Sequence, residues 1–388
     1  MKKSSMIKLA AGAAALLLMS TSAQAGYTMK KKVGDVDTKL TFFGFSQLEA
    51  RAGDGIIKDG EDSKVAFGAQ RIRLGWKYQA GKVRGKVFLD FNQDHAVNGK
   101  TGDGAAMPKM VKDAFISYVA DPAFVIKAGL IKMPNGMSFT MPGWNLDIAE
   151  RGFDKKLVLE RNTGLMVSGR AIGGSGKVNG FEMGHERPWV GFGYDVMIAN
   201  QADRSAVAGS SKNGGNSYAV RGMYDNTEKL HIEASYALSE NAAGPSGVAG
   251  GEDYSNINIG IDSNLGNLSL KAEYFDAENL NGVKGYDEKA LTATAGYFVT
   301  PSLELVGKYM KADAEKVGSA DTSLTNVYLG ANIFISSPYQ DFSRKAKRMR
   351  NQHKVVLNYV MASGDTDSNN VAGGYTDDAI IAQYQFKF

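Results

Sequence analysis

The stretch AQRIRLGWKYQAGKVRGKVFLDFN, residues 69–92, carries the fold in miniature. Taken at every second residue, Ile72, Leu74, Trp76 and Tyr78 fall on one face, and Arg71, Arg73 and Lys77 on the other. After Ala80-Gly81-Lys82 the alternation restarts. Val83, Val87, Leu89 and Phe91 then stand opposite Arg84, Lys86, Asp90 and Asn92. A period of two marks a strand with one apolar and one polar face. Each arm is about ten residues long, the length a tilted strand needs to cross a bilayer (about 9–11), whereas strands of soluble domains average about 5–6.

The same pattern recurs along the chain. Tyr218, Val220, Gly222 and Tyr224 alternate with Ala219, Arg221 and Met223, and Leu230, Ile232, Ala234, Tyr236 and Leu238 with His231, Glu233 and Ser235. Leu291, Ala293, Ala295, Tyr297 and Val299 oppose Thr292, Thr294 and Gly296. Sixteen such segments are found: 38–51, 65–79, 83–94, 109–120, 123–132, 163–172, 188–199, 216–225, 229–238, 254–263, 267–276, 288–299, 302–312, 323–335, 352–362 and 378–388. Short links at Ala80-Gly81-Lys82, Asp121-Pro122, Asn226-Thr227-Glu228, Asn264-Leu265-Gly266 and Thr300-Pro301 alternate with long polar stretches, the longest being 133–162. Short turns on one side and long loops on the other predict an all-β, transmembrane antiparallel β-barrel of about sixteen strands. Closure follows from physics, because an unpaired backbone group facing lipid costs several kcal/mol. Tyr218 and Tyr224 end one apolar face, and Trp76, Tyr78, Tyr194, Tyr236, Tyr274, Tyr297 and Tyr359 lie near strand ends, which predicts two aromatic girdles. Two links, 173–187 and 336–351, are longer than their parity requires.

The first residues set the compartment. Lys2, Lys3 and Lys8 precede an apolar run from Leu9 to Met19, and Ala23-Gln24-Ala25 supplies a small-x-small cleavage pattern. This reads as a signal peptide over residues 1–25, cut between Ala25 and Gly26, leaving a barrel domain over 26–388 and a protein exported through the periplasm to the outer membrane. An eleven-residue helix rises only about 16 Å, too short for a hydrocarbon core of about 30 Å. The formal net charge of +4 includes the three leader lysines, so the remaining residues carry 42 bases against 41 acids. That balance argues against a nucleic-acid surface. Cysteine is absent, so neither disulfides nor thiolate metal sites are expected.

The C-terminus alternates Ile380, Ala382, Tyr384, Phe386 and Phe388 with Ile381, Gln383, Gln385 and Lys387. Aromatics at Tyr384, Phe386 and Phe388 on a final strand resemble the signal read by the barrel assembly machinery. The central stretch Lys127-Ala128-Gly129-Leu130-Ile131-Lys132-Met133-Pro134-Asn135-Gly136, with Ile148-Ala149-Glu150-Arg151 and Arg161-Asn162-Thr163-Gly164-Leu165-Met166-Val167-Ser168-Gly169, resembles the phosphate-selective porin O and P family. Val111-Lys112-Asp113-Ala114-Phe115-Ile116-Ser117-Tyr118 is similar to that family's preceding strand. The resemblance implies a sixteen-stranded homotrimer in lipid and lipopolysaccharide, with a third external loop, here 133–162, folded inward to narrow the pore.

Candidate pore-lining or constriction residues are Arg71, Arg73, Arg84, Lys86, Asp90 and Lys132, then Glu150, Arg151, Lys155, Lys156, Glu160 and Arg161. With Asp113, Asp147 and Asp154 they make a mixed lining, sparser in bases than the family's dense ladder of arginines and lysines. The cations either attract anionic solutes or pair with carboxylates to stiffen the wall. Arg71 and Arg73 stand out because no acid separates them. The basic run Arg344, Lys345, Lys347, Arg348 and Arg350 is either a solvated insertion or a contact for anionic lipid, peptidoglycan or a partner. Asp365-Thr366-Asp367-Ser368-Asn369-Asn370 lacks the glycine and glutamate of a calcium loop, and Gly173-Gly174-Ser175-Gly176-Lys177 lacks the frame of a phosphate loop. His95, His185, His231 and His353 lie in separate segments. No catalytic or metal constellation and no cofactor motif stands out. The function expected is passive diffusion of small hydrophilic or anionic solutes, against the alternatives of a lipase-like barrel enzyme and a plugged structural or adhesive barrel.

Overall fold

A computed structural model describes residues 26–53, 65–92, 110–175, 190–201, 215–227, 229–242, 251–335, 351–364 and 371–388. Its strands are β1 (Tyr27–Val33), β2 (Val36–Gly53), β3 (Ala66–Ala80), β4 (Val83–Asp90), β5 (Val111–Asp121), β6 (Phe124–Lys132), β7 (Arg161–Ser175), β8 (Val190–Asn200) and β9 (Asn216–Asn226). There follow β10 (Leu230–Ser239), β11 (Tyr254–Leu265), β12 (Leu268–Glu278), β13 (Tyr286–Thr300), β14 (Leu303–Lys316), β15 (Thr322–Phe334), β16 (His353–Gly364) and β17 (Ala379–Lys387). Each of β2–β16 pairs antiparallel with the next strand. β17 returns to β2, from Ala379↔Gly53 to Lys387↔Phe45, which closes a sixteen-stranded barrel. Phe388 and Gly44 exchange backbone hydrogen bonds of 3.0 Å, so the last residue zips the seam.

The sixteen segments read from the sequence coincide with β2–β17, their ends displaced by no more than four residues. β1 was not anticipated. It continues the edge that β17 occupies farther along β2, pairing Tyr27↔Phe42 to Val33↔Val36 around a turn at Gly34. All seven of its residues are exposed, so it has no apolar face for periodicity to reveal.

Side chains alternate as the period demands. Ile72, Leu74, Trp76 and Tyr78 are exposed on the outside, as are Ile232, Tyr236, Ile257, Ile259, Ile261, Leu291 and Tyr297. An apolar belt continuous over so many strands far exceeds the few hundred Å² a water-soluble surface tolerates; it is a lipid-facing surface. Trp76, Tyr78, Tyr118, Tyr224 and Tyr297 lie toward the short-turn rim, and Tyr218, Tyr236 and Tyr274 toward the other. Among the described residues no helix is long and apolar enough to cross a membrane. The strands do the crossing.

The protein's core lies inside the barrel. Phe153, Leu157, Val158 and Leu159 from the 133–160 connector pack with inward-facing Phe275, Ala290, Met310, Ala312, Leu324 and Tyr328 in one apolar cluster. The leader, His95, His185, Gly176, Lys177, the 344–350 run and the 365–370 stretch lie outside the described residues.

Candidate functional site

The connector after β6 turns at Met133-Pro134-Asn135-Gly136. Gly136 has φ 82°, and a Cβ there would sit 2.8 Å from Val158 Cγ1. Only glycine fits both the backbone and the space. A single helical turn, Met137–Thr140, follows, with Met137, Phe139 and Thr140 buried.

From there the loop is tied around much of the inner wall. Ser138 N donates to Glu273 on β12 at 3.1 Å, and Asn256 on β11 donates to Leu157 O. Asn332 on β15 donates to Asp147 O at 2.9 Å, and Lys354 on β16 to Leu146 O at 2.7 Å. Gln383 and Gln385 on β17 reach Ala149 O and Trp144 O, each at 3.1 Å, while Gln47 on β2 reaches Gly143 O at 3.1 Å. Side-chain amides and lysines facing inward thus satisfy carbonyls that would otherwise be buried without partners.

A second connector lies on the first. Residues 371–378, between β16 and β17, place Val371 and Tyr375 in the same apolar cluster. Gly374, with φ 81°, comes so close to Phe153 that a Cβ would meet its ring at 2.2 Å. Asn326 on β15 clamps Tyr375 from both sides, accepting from its N–H and donating to its carbonyl at 2.8 Å. The Tyr375 hydroxyl donates to Glu150, and Arg51 donates to that hydroxyl at 2.8 Å and to Glu150 at 3.0 Å. Burial and the neighbouring Glu150 carboxylate push the Tyr375 phenol well above its ordinary value, so it stays a neutral donor. Sequence alternation gives no signal for this contact, because residues 371–378 belong to no strand.

The expected lining residues divide by partner. Arg73 pairs with Asp90 at 2.8 Å, and Lys86 and Arg161 share Asp113 at 2.5 and 3.0 Å. Arg71, by contrast, donates to the neutral amide of Gln47 at 2.5 Å. Lys132 donates to Phe139 O at 2.7 Å, and Arg151 to the carbonyls of Ser138, Phe139 and Met141. Burial lowers the Arg151 guanidinium to about 10, with Asp154 raising it and Arg73 and Arg161 lowering it further. Arg71, Lys132 and Arg151 therefore add positive charge that these neutral acceptors do not cancel.

Other candidates stand apart. Arg84 bonds to its own turn through Gly81 O and Val83 O and is not brought to this group. Lys155 and Lys156 are exposed, Lys155 lying 3.8 Å from Glu160. Tyr384 faces His353 at 3.1 Å, and the Phe386 ring stacks between His353 and Phe388 at 5.2 and 5.6 Å.

Three features escaped the sequence reading. Arg170 and Arg221 converge on Asp195 at 2.9 and 2.6 Å, all fully buried on β7–β9, and Arg221 also meets Thr140 of the loop at 3.1 Å. His231 sits between Asp225 and Glu233, 2.8 Å from each. The third is a cation–aromatic patch, where Phe43, Phe45 and Phe88 pack with Trp144 of the loop beneath Arg73, Lys77, Lys86 and Lys387. Strand parity places Arg221, His231 and Phe88 inward, but not which strands are neighbours across the lumen.

Solved outer-membrane proteins share this architecture at low sequence identity. A Salmonella typhi OmpF bound to daunomycin superposes with a TM-score of 0.60 at 16% identity, covering 93% of this chain and 100% of that one. An anion-selective porin from Comamonas acidovorans gives 0.57 at 14%, covering 90% and 100%. OmpT of Vibrio cholerae in a trimer form gives 0.56 at 13%, covering 90% and 99%. No curated protein sequence matches the chain significantly. The family model described as Gram-negative porin matches residues 11–337, most of the chain. With its closed barrel, lipid-facing belt and loop-filled interior, this chain belongs to the Gram-negative porin family, and it is a channel-forming barrel of the outer membrane.

Proposed function

We propose that the barrel is a passive diffusion channel for small hydrophilic solutes, not an enzyme, with the inward loop as its size filter and a preference for anions. The observation that carries the preference is the group Arg71, Lys132 and Arg151, three lumenal cations whose hydrogen bonds, among the described residues, go to neutral oxygens. Fixed charge of one sign in a narrow, low-dielectric passage concentrates the opposite ion. The Comamonas relative is itself an anion-selective porin, in keeping with this reading. Phosphate is the particular anion suggested by the resemblance over residues 127–169.

Export with removal of residues 1–25, recognition of Tyr384, Phe386 and Phe388 by the assembly machinery, contacts with lipid and lipopolysaccharide, and a homotrimer belong to the same proposal. The trimer form of the Vibrio relative supports the last. Intact mass of the purified protein tests the cleavage and, under native conditions, the trimer.

The test of function is single-channel conductance and reversal potential in planar bilayers under a salt gradient, with phosphate added to one side. Stepwise conductance, an anion-directed potential and phosphate block are expected. Conductance without preference leaves a general porin. A second reading, a plugged barrel, draws on the packing of residues 371–378 onto the inward loop; absence of conductance would move the case to it or to a barrel enzyme.

A further inference from the structure

We propose that the recess between the inward loop and β12–β14 is a subsite for small zwitterions, carrying an ammonium and a carboxylate a few ångströms apart. The inference rests on the channel reading. The recess is open to solvent between the loop and the wall.

Both sides carry charges of both signs, Glu273 standing on the wall and Arg151 and Glu150 on the loop beside the groups that face one another here. On the wall, Lys271↔Thr294 and Thr294↔Lys308 are cross-strand pairs, so two ammonium groups flank one hydroxyl on a single inward row. Thr292 lies two residues along β13 and also lines the recess. Among the described residues neither threonine side chain has a hydrogen-bond partner. On the loop side, Asp147 faces Lys271, and Asp154 stands 4.0 Å from Lys308. Asp154 is itself fixed, accepting from Ser138 Oγ and Gly152 N at 2.8 Å.

That 4.0 Å separation is a loose contact beside the 2.8–3.0 Å pairs elsewhere in the lumen. A simple anion drawn to Lys308 meets Asp154 and Asp147 opposite, and a simple cation meets the two lysines. A zwitterion satisfies both sides, its carboxylate on Lys308 and the free threonine hydroxyls, its ammonium on the loop acids. Met137, Met141 and Ile148 line the same recess and suit a short aliphatic spacer.

The experiment uses the full purified protein in planar bilayers and liposomes, with 4-aminobutanoate as probe. Butyrate and a four-carbon polyol serve as size-matched controls. In the wild type, 4-aminobutanoate is expected to block the KCl current at a concentration about tenfold lower than either control, and to enter liposomes faster, as one charge-assisted hydrogen bond would give. Lys308→Gln and Asp154→Asn each abolish the difference, and the exchange Lys308→Asp with Asp154→Lys restores it, since a zwitterion can bind reversed. Circular dichroism checks that each variant folds. Equal block by all three probes in a wild-type channel that conducts KCl overturns the subsite and leaves the channel reading standing. Retention of the difference in Lys308→Gln overturns it too. A wild type that passes no KCl removes both.

Discussion

The inward loop meets two different walls. Toward β10–β16 it is held by apolar packing of Phe153, Leu157, Val158 and Leu159 on Phe275, Met310 and Leu324. Toward β2–β7 it meets mainly guanidinium, ammonium and carboxylate groups, with Arg71, Arg73, Lys86, Asp90, Asp113 and Arg161 along the strands and one apolar contact, Trp144 on Phe45 and Phe88. The difference separates two jobs. Apolar contact is non-directional, not screened by salt and strong per unit area, so it fixes where the loop sits. The charged wall adds directional ties, such as Lys132 to Phe139 O, and gives passing solutes something to recognise.

The largest expected effect comes from breaking the apolar side. Phe153 is fully buried against Gly374 and the wall. Phe153→Ala should remove about 3–5 kcal/mol of packing and leave a cavity. Single-channel recordings should then show larger and noisier conductance, and protease should gain access to the loop. An unchanged conductance level would mean that the polar ties, not the apolar cluster, hold the loop.

The next effect sharpens the charged side by contrasting paired with uncancelled cations. Arg71→Gln and Lys132→Gln should each lower the anion-to-cation permeability ratio severalfold, since a solute about 10 Å away feels roughly 1–2 kcal/mol per charge. The double change Arg73→Gln with Asp90→Asn deletes a 2.8 Å ion pair at no net charge and should leave the ratio nearly as it was. Arg73→Gln alone exposes Asp90 and should shift the channel toward cations. If the Arg73/Asp90 double variant lost as much selectivity as Arg71→Gln, the division by partner would be wrong.

A smaller effect attaches to the clasp that lays residues 371–378 on the loop. Tyr375→Phe keeps the ring and removes the hydroxyl shared by Arg51 and Glu150. The loss should be about 0.5–1.5 kcal/mol, more if Arg51 or Glu150 is left short of a partner. More frequent transitions between current levels, at an unchanged main conductance, would report it.

The barrel was legible because lipid enforces it: every strand must be long, and one face must be apolar. Ile72, Leu74, Trp76 and Tyr78 announce their face without any knowledge of their neighbours. The interior obeys no such rule. Phe88, Met310 and Ala312 face inward where alternation predicts polar residues, because their environment is the loop and not water. Glu150, Arg151 and Arg161 were found through the resemblance around residues 127–169. Lys271 and Lys308 had the right parity, but their importance depends on Asp147 and Asp154 arriving from a loop more than a hundred residues earlier in the chain. Tyr375 and β1 left no periodic trace at all.

The gentlest way to test the division between walls changes no residue. Screening shortens the reach of a charge from about 10 Å at 0.1 M salt to about 3 Å at 1 M. Anion preference set by Arg71, Lys132 and Arg151 should therefore fall as salt rises, most strongly for ions that pass without touching the wall. The apolar anchorage responds oppositely if at all, since salt does not weaken hydrophobic contact and kosmotropic salts strengthen it. Conductance per unit bulk conductivity should then approach a constant at high salt, while the reversal potential drifts toward that of a neutral pore. A preference that survived 1 M salt undiminished would require direct contact between ion and side chain. In that case Arg71 and Lys132 act as binding ligands rather than as a field, and selectivity should differ between anions of equal charge but different hydrogen-bonding capacity.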